Sequence, residues 1–143
     1  MSKGPEANLW NTLRQNLPKT AFATRIENVH GGGVPDVHIV WDGMPFWLEL
    51  KICKANSVKL QSHQIAWNMA YYARNGASFY LVKHLPSSHL YLFGADQGPV
   101  LAQDGLFSAQ GPRFESAGAL FEGLRPLLEQ HFEGVLRPSA RGS

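Results

Sequence analysis

Asp36, Glu49 and Lys51 are the residues of this chain whose types and spacing could do chemistry. Asp36 precedes a run typical of a β-strand, Val37–Trp41, and Glu49 and Lys51 lie two positions apart on a second such run, Pro45–Ile52. Side chains two positions apart on a strand point to the same face of its sheet. Two carboxylates can hold a divalent cation, and an ammonium beside them can stabilise charge on a phosphate. This set is therefore suited to cleaving a phosphodiester bond.

The two strand-like runs are joined by Asp42-Gly43, a dipeptide preferred in two-residue hairpin turns. Such a hairpin would bring the three charged residues together at one end of a small sheet. Taken singly, each has an ordinary alternative: Asp36 could cap a turn after a proline, and Glu49 with Lys51 could be a surface pair on a strand. Their combination at hairpin distance favours a site.

The elements that must position this hairpin follow from hydrophobic periodicity along the chain. The sequence predicts the order α-β-β-β-α-β-β-α, which places the chain in the mixed α/β class. Beside the hairpin, helices are expected over residues 6–17, 62–74 and 116–132, and strands over 21–27, 78–83 and 89–93. Phe22, Thr24 and Ile26 are expected on the buried side of the first strand, and Ser62 as the N-cap of the second helix. Residues 94–115 show no clear period.

Composition narrows the class of protein. The 143 residues and the 44% apolar content are typical of one globular domain, expected over residues 1–143 with a loose tail over 134–143. The chain contains no apolar run near the roughly 20 residues that span a membrane, and its N-terminus lacks a secretion signal. We expect a cytoplasmic protein of a bacterial or phage-infected cell. Cys53 is the only cysteine, which excludes a disulfide within the chain and a thiolate metal cluster.

The motif and its flanks resemble a known family. Pro35-Asp36 followed by Glu49-Leu-Lys51 resembles the PD-(D/E)XK nuclease signature. The runs Gly33-Val-Pro-Asp36, Trp47–Lys51 and Leu60–Gln64 resemble the VRR-NUC and Holliday-junction-resolvase-like branch, in which a glutamine opens the next helix. The resemblance implies a restriction-endonuclease-like αβββαβ core, a mixed central sheet flanked by helices, over about residues 5–93. An extension over 94–133, ending in a C-terminal helix, would follow it.

The expected cofactor is Mg²⁺ or Mn²⁺, with one or two ions in each site. Magnesium prefers hard oxygen ligands, which Asp36, Glu49 and the backbone carbonyl of Leu50 would supply, as the resemblance also implies. The resemblance further implies a glutamate that supports a second ion. Glu6 is the match by position, at the start of the first helix, and is favoured over Glu27.

Lys51 is expected to orient the attacking water and to stabilise charge on the phosphate. Gln64 is expected to hydrogen-bond a metal ligand or the water. Three further cations are candidates for contacts with DNA phosphates: Arg25, Lys54 and Lys59. Three aromatic residues of the second helix are expected to pack in the core: Trp67, Tyr71 and Tyr72.

These residues predict a metal-dependent DNA endonuclease that acts on branched or double-stranded DNA, selects its substrate by structure, and works as a homodimer. The small size leaves little room for a module that reads a long base sequence. Two alternatives stay open at this point. One is an exonuclease that needs DNA ends, and the other is a nucleic-acid-binding protein that keeps the fold without cleaving.

Overall fold

The computed structural model describes residues 4–26 and 32–136 of the chain. The helices are α1 (Pro5–Gln15), α2 (Ser62–Ala73), α3 (Gly98–Asp104) and α4 (Ala117–Leu136), and a short 3₁₀ helix covers Ala95–Gln97. The strands are β1 (Ala21–Arg25), β2 (Val37–Trp41), β3 (Met44–Cys53), β4 (Ser78–His84), β5 (His89–Gly94) and β6 (Arg113–Phe114). The first six elements follow the order α-β-β-β-α-β, which confirms the predicted core.

All six strands form one sheet in the order in which they occur along the chain. Strands β3 and β4 are parallel, and the other neighbouring strands are antiparallel. Parallel neighbours need a crossover connection, and α2 lies in the segment that joins β3 to β4. The predicted mixed central sheet flanked by helices is confirmed.

The core is divided by the sheet into two clusters. Apolar residues of α1 and α4 pack on one face, together with Phe46, Leu48 and Leu50 of β3. On the other face, Tyr80 and Val82 of β4 belong to a smaller cluster that includes part of α3. Because side chains alternate along β3, Trp47, Glu49 and Lys51 lie on this second face, as the alternation predicts.

The hairpin between β2 and β3 sets the position of the charged residues. Asp42 and Gly43 have φ angles of 50° and 81°, and positive φ at both central residues is what a type I′ hairpin turn requires. This turn fixes a register in which Val37 pairs with Leu48. Asp36 therefore lies directly before Val37, the first residue of β2, and opposite Glu49 of β3.

The burial expected for β1 is wrong. Phe22 is 72% exposed, while Ala21 and Ala23 are the half-buried residues of the strand. Alternation along the strand leaves open which side faces the core, and pairing decides it. Ala23 pairs with Ile39 of β2, which is buried, so the Phe22 side faces outward.

The chain after β5 is more regular than the sequence predicts. Residues 94–115 contain the 3₁₀ helix, α3 and β6, all too short to produce a visible period. Helix α4 continues to Leu136, beyond the predicted start of the loose tail at residue 134, and the rest of that predicted tail, 137–143, lies outside the described residues. Among the described residues, none of the helices combines the length and the apolar character needed to cross a membrane.

Candidate active site

Asp36 is fixed by backbone hydrogen bonds at the start of β2. Its carbonyl oxygen accepts a hydrogen bond from the Ile26 amide at 2.7 Å, which continues the pairing of β1 and β2. Its carboxylate Oδ2 accepts a hydrogen bond from the Leu50 amide at 2.9 Å. The side chain thereby bridges from β2 to β3. The structure places Asp36 beside Glu49, as the hairpin predicts.

Glu49 is a charged residue inside the protein, with only 2% of its surface exposed. Oε2 accepts a hydrogen bond from Gln64 Nε2 at 3.0 Å and lies 3.8 Å from Lys51 Nζ. Oε1 is buried and accepts no hydrogen bond from the described residues. A buried oxygen of an ionised carboxyl group that accepts no hydrogen bond is costly, and few are found in native proteins.

The environment of Glu49 disfavours its charged form. Burial is the largest cause that raises the pKa of Glu49, to about 8; the negative charge of Asp36 comes next, and a hydrogen bond between the two carboxyl groups contributes. The ammonium of Lys51 acts in the opposite direction but does not offset these effects. These surroundings therefore favour the protonated, uncharged form of the Glu49 carboxyl near neutral pH.

Gln64 connects the beginning of α2 to the charged residues of β3. Its Oε1 accepts hydrogen bonds from Lys51 Nζ at 3.2 Å and from the backbone amide of Gln61 at 3.0 Å. Gln61 is the N-cap of α2, not Ser62 as expected, and Gln64 is the third residue of the helix, the position that reaches back to the N-cap in a capping box. The same side chain therefore caps the helix and orients both Glu49 and Lys51.

Two polar residues that were not identified from the sequence, Asn68 and Ser78, connect α2 to β4. Asn68 is fully buried, and its Nδ2 donates a hydrogen bond to the carbonyl of Gln64 at 2.9 Å. Its Oδ1 accepts a short hydrogen bond from Ser78 Oγ of β4. The available signal was one asparagine in the apolar part of the helix, residues 65–73, but its partner on β4 is visible only in three dimensions.

Glu6 lies in the first turn of α1, close enough to interact with Asp36, Lys51 and Arg25. Its residue surface is exposed, yet partial burial of the carboxyl raises its pKa, as does the charge of Asp36, while Lys51 and Arg25 lower it. The guanidinium of Arg25 lies 6.0 Å above the ring of Trp10. Glu27, the rival of Glu6, lies outside the described residues.

An open cleft of about 750 Å³ extends from Lys51 along the end of β3. The first turn of α1 and the segment after β3 form its walls, and its charged lining residues are Glu6, Lys51, Lys54 and Lys59. We call this the lysine cleft. Lys54 and Lys59 are exposed, so both ammonium groups are accessible to a polyanion.

The oxygen atoms beside the cleft fit a hard divalent cation. Asp36 and Glu49 supply carboxylates, and the Leu50 carbonyl points to the same side of β3 as its amide, which donates to Asp36. Among the described residues, no three side chains of His, Cys, Asp or Glu are grouped so that they could hold a metal ion by themselves. The set is thus two carboxylates and a carbonyl, with Glu6 nearby, and the ligand role of Glu6 stays a prediction.

The chain is similar in structure to Archaeoglobus fulgidus Hjc, a Holliday junction resolvase from an archaeal hyperthermophile, with a TM-score of 0.49. The two sequences are 16% identical, and the similarity covers 64% of this chain and 75% of that chain. No protein-family model and no curated protein sequence matches the chain.

Proposed function

We propose that this chain is a Mg²⁺- or Mn²⁺-dependent deoxyribonuclease of the PD-(D/E)XK type that hydrolyses phosphodiester bonds within branched DNA. The observation that carries the proposal is the buried carboxyl group of Glu49, whose Oε1 accepts no hydrogen bond from the described residues. Burying an unpaired charge costs free energy, and removing a proton from Glu49 at neutral pH would require a compensating cation. Lys51, at 3.8 Å, is one unit of positive charge beside two carboxylates.

A divalent cation at Asp36 and Glu49 would displace the proton that Glu49 holds, as metal binding to protonated ligands does. When bound, such an ion neutralises phosphate charge and lowers the pKa of a coordinated water. Lys51 would donate hydrogen bonds to the attacking water or to a phosphate oxygen. Gln64 keeps Lys51 and Glu49 in place through its two hydrogen bonds, at 3.2 Å and 3.0 Å.

The lysine cleft supports nucleic acid as the substrate. Lys54 and Lys59 line the cleft that begins at Lys51, so a phosphate backbone lying there would pass directly beside the carboxylates. Arg25, whose charge lowers the pKa of Glu6, is a third candidate for contact with a DNA phosphate. We include a homodimer, because cutting both strands of a junction requires two sites. A light-scattering mass equal to one chain would remove that part of the proposal.

The test is a cleavage assay with labelled four-way junction, flap, linear duplex, single-stranded and circular DNA in Mg²⁺ or Mn²⁺. We expect metal-dependent cuts in the branched substrates, lost in Asp36→Ala but retained in Asp42→Ala. Asp42 is a matched control because it is an acid of the same hairpin that pairs with Arg125 and lies outside the site. Binding of the junction should persist in Asp36→Ala.

The same assay separates the alternatives. Cleavage that spares circles while degrading linear DNA would favour an end-dependent exonuclease. Binding without cleavage of any substrate, in either metal, would favour a nucleic-acid-binding protein with the same fold. Cleavage that is equal in Asp36→Ala and in the natural chain would contradict the site itself. The VRR-NUC branch is proposed only from the sequence around Asp36 and Gln64.

A further inference from the structure

A row of aromatic side chains begins beside Glu49 and runs away from the lysine cleft. Its four members come from β2, β3 and α2, and we call them the aromatic row: His38, Trp47, Trp67 and Tyr71. Ring centroids are 4.5 Å apart between His38 and Trp47, and 5.5 Å apart between Trp47 and Trp67. Trp67 and Tyr71 are stacked at 5.0 Å with an angle of 16° between the rings.

The aromatic row is not part of the core, so the expectation that Trp67 and Tyr71 pack there is wrong. All four residues are half-buried, and they lie outside both clusters of described core residues. Tyr72, the third aromatic of α2, is 45% exposed. The adjoining part of the sheet is exposed as well. Thr24 of β1 pairs with His38 of β2, so Phe22 and Thr24 point to the same face as His38, and both are exposed. Part of the surface of these aromatic side chains is therefore exposed to solvent near Glu49.

The position of the aromatic row relates it directly to the site. Trp47 precedes Glu49 by two residues on β3, so their Cα atoms are about 7 Å apart. On α2, Trp67 follows Gln64 by three residues, which places the two side chains on neighbouring positions of the helix surface. Because one strand of a duplex advances about 3.4 Å per nucleotide, the row lies about two nucleotides from a phosphate held at Glu49.

The two sides of the site differ in chemistry. Toward the C-terminal end of β3 the lining is cationic, with Lys51, Lys54 and Lys59. Toward the N-terminal end of β3 the described lining is aromatic, and no carboxylate belongs to the row. Phosphates suit the first lining and the flat faces of bases suit the second.

We propose that the aromatic row stacks one or more unpaired bases next to the phosphate positioned at Asp36 and Glu49. This rests on the proposed function, and it narrows the substrate to DNA with unpaired nucleotides within a few positions of the cut. In an intact duplex the base faces are occupied by neighbouring bases, so they are unavailable to protein rings. Flaps, forks and opened junctions present such bases, and their phosphates can continue into the lysine cleft.

The test compares two labelled oligonucleotides of equal length and charge by fluorescence anisotropy in a metal chelator. One is a natural single strand, and the other carries abasic sites in place of its bases. We expect the natural strand to bind roughly tenfold more tightly, since aromatic stacking on a base is worth about that factor. Trp67→Leu should bring the ratio of the two affinities close to one, and Trp67→Phe should keep most of it.

The matched control is Tyr72→Leu, which removes an aromatic ring of the same helix from outside the row and should leave the affinity ratio unchanged. Equal affinity of the natural chain for the two strands, or no binding of either, would overturn the proposal. So would a Trp67→Leu variant that retains the full ratio, because the rings would then only pack α2 onto β3. The chelator separates this result from the proposed function. Base-dependent binding, combined with no cleavage in the assay of the proposed function, would contradict the nuclease proposal alone. Cleavage in that assay, combined with base-independent binding, would contradict the proposal for the aromatic row alone.

Discussion

Two carboxylate–cation pairs of this chain, both anchored in the β2–β3 hairpin region, differ in how completely they are formed. In the first pair, Arg125 Nη1 contacts Asp42 Oδ2 at 2.5 Å, while Arg125 Nε contacts Glu129 at 3.1 Å. In the second pair, Lys51 Nζ lies 3.8 Å from Glu49 Oε2. The first pair is about one-third exposed, whereas the Glu49 side chain is 3% exposed.

The difference separates a structural pair from an incomplete one. The exposed pair is complete, and a surface pair of this kind contributes little to stability but needs nothing further. In the buried pair, Glu49 Oε1 accepts no hydrogen bond from the described residues, so ionising this carboxyl would be costly without a further cation. We interpret the incomplete buried pair, Glu49 with Lys51, as a site for a cationic ligand.

Removing the cation from each pair gives the largest expected contrast. We expect Lys51→Ala to lower the cleavage rate by about 10²–10³, the scale for loss of one group that stabilises transition-state charge. Metal binding should be retained, because Lys51 is not a ligand. Arg125→Ala should leave the rate within a factor of about two, as its charge acts at the surface. Single-turnover assays check this, and an unchanged rate in Lys51→Ala would remove its proposed role.

A substitution at Gln64 tests whether the function of the buried pair, Glu49 with Lys51, depends on the hydrogen bonds that position it. Gln64→Leu removes the hydrogen bonds to Lys51 and Glu49 while keeping a side chain of comparable volume. We expect activity or metal affinity to fall by about 10–100-fold, the range for residues that orient metal ligands. Gln64→Glu should restore part of the metal affinity, because a carboxylate can still accept from Lys51. If Gln64→Leu cleaves like the natural chain, Gln64 serves only to cap α2.

The buried carboxylate predicts a loss of stability at alkaline pH. Glu49 has a pKa raised from 4.5 to about 8, so the folded state holds a proton that the unfolded state releases. Its stabilising contribution is full below pH 4.5 and is lost as the pH rises through about 8. In a chelator, Glu49→Gln should match the natural chain near pH 4.5 and exceed it by about 1–4 kcal/mol at pH 9. Urea unfolding measures this, and equal stabilities at pH 9 would contradict it.

The exposed pair predicts the opposite sign and the smallest effect. The hydrogen bond from Arg125 is the largest cause that lowers the pKa of Asp42 below its ordinary 3.8, so its contribution is present above that pH and is lost as the pH falls through the lowered pKa. Arg125→Gln should lower the melting temperature slightly at pH 6, and the difference should shrink toward pH 2, where the contact of Arg125 with the Trp41 ring remains but the pair with Asp42 does not. Melting curves at both pH values check this, and a difference that grows on acidification would be inconsistent with the pair.

The sequence predicted the αβββαβ core well, because each element carries a local signal. Alternation located Val37–Trp41 and β3, and Asp42-Gly43 specified the turn between them. The residues of the site were found for the same reason: Asp36 and Glu49 are neighbours through one hairpin, so their contact is set by local geometry. Their chemical roles stay predictions.

What the sequence could not predict depends on packing between distant segments. The outward side of Phe22 is decided by pairing with β2, and the short α3 has too few residues to show a period. Trp67 and Tyr71 read as core residues because α2 is apolar on most sides. In the structure, α2 packs against β4, α3 and the 3₁₀ helix, and the ring of Trp67 contacts Trp47 of β3 outside both core clusters.

Metal binding measured by calorimetry with Mn²⁺ at pH 8 tests the central claim most directly, using one variant from each pair. The natural chain and Asp42→Asn should bind the ion with the same affinity, and both should release protons on binding. Glu49→Gln should show no binding in the same concentration range. Equal binding by Glu49→Gln, or no binding by the natural chain, would contradict the account of Glu49 as the ligand that the fold leaves open.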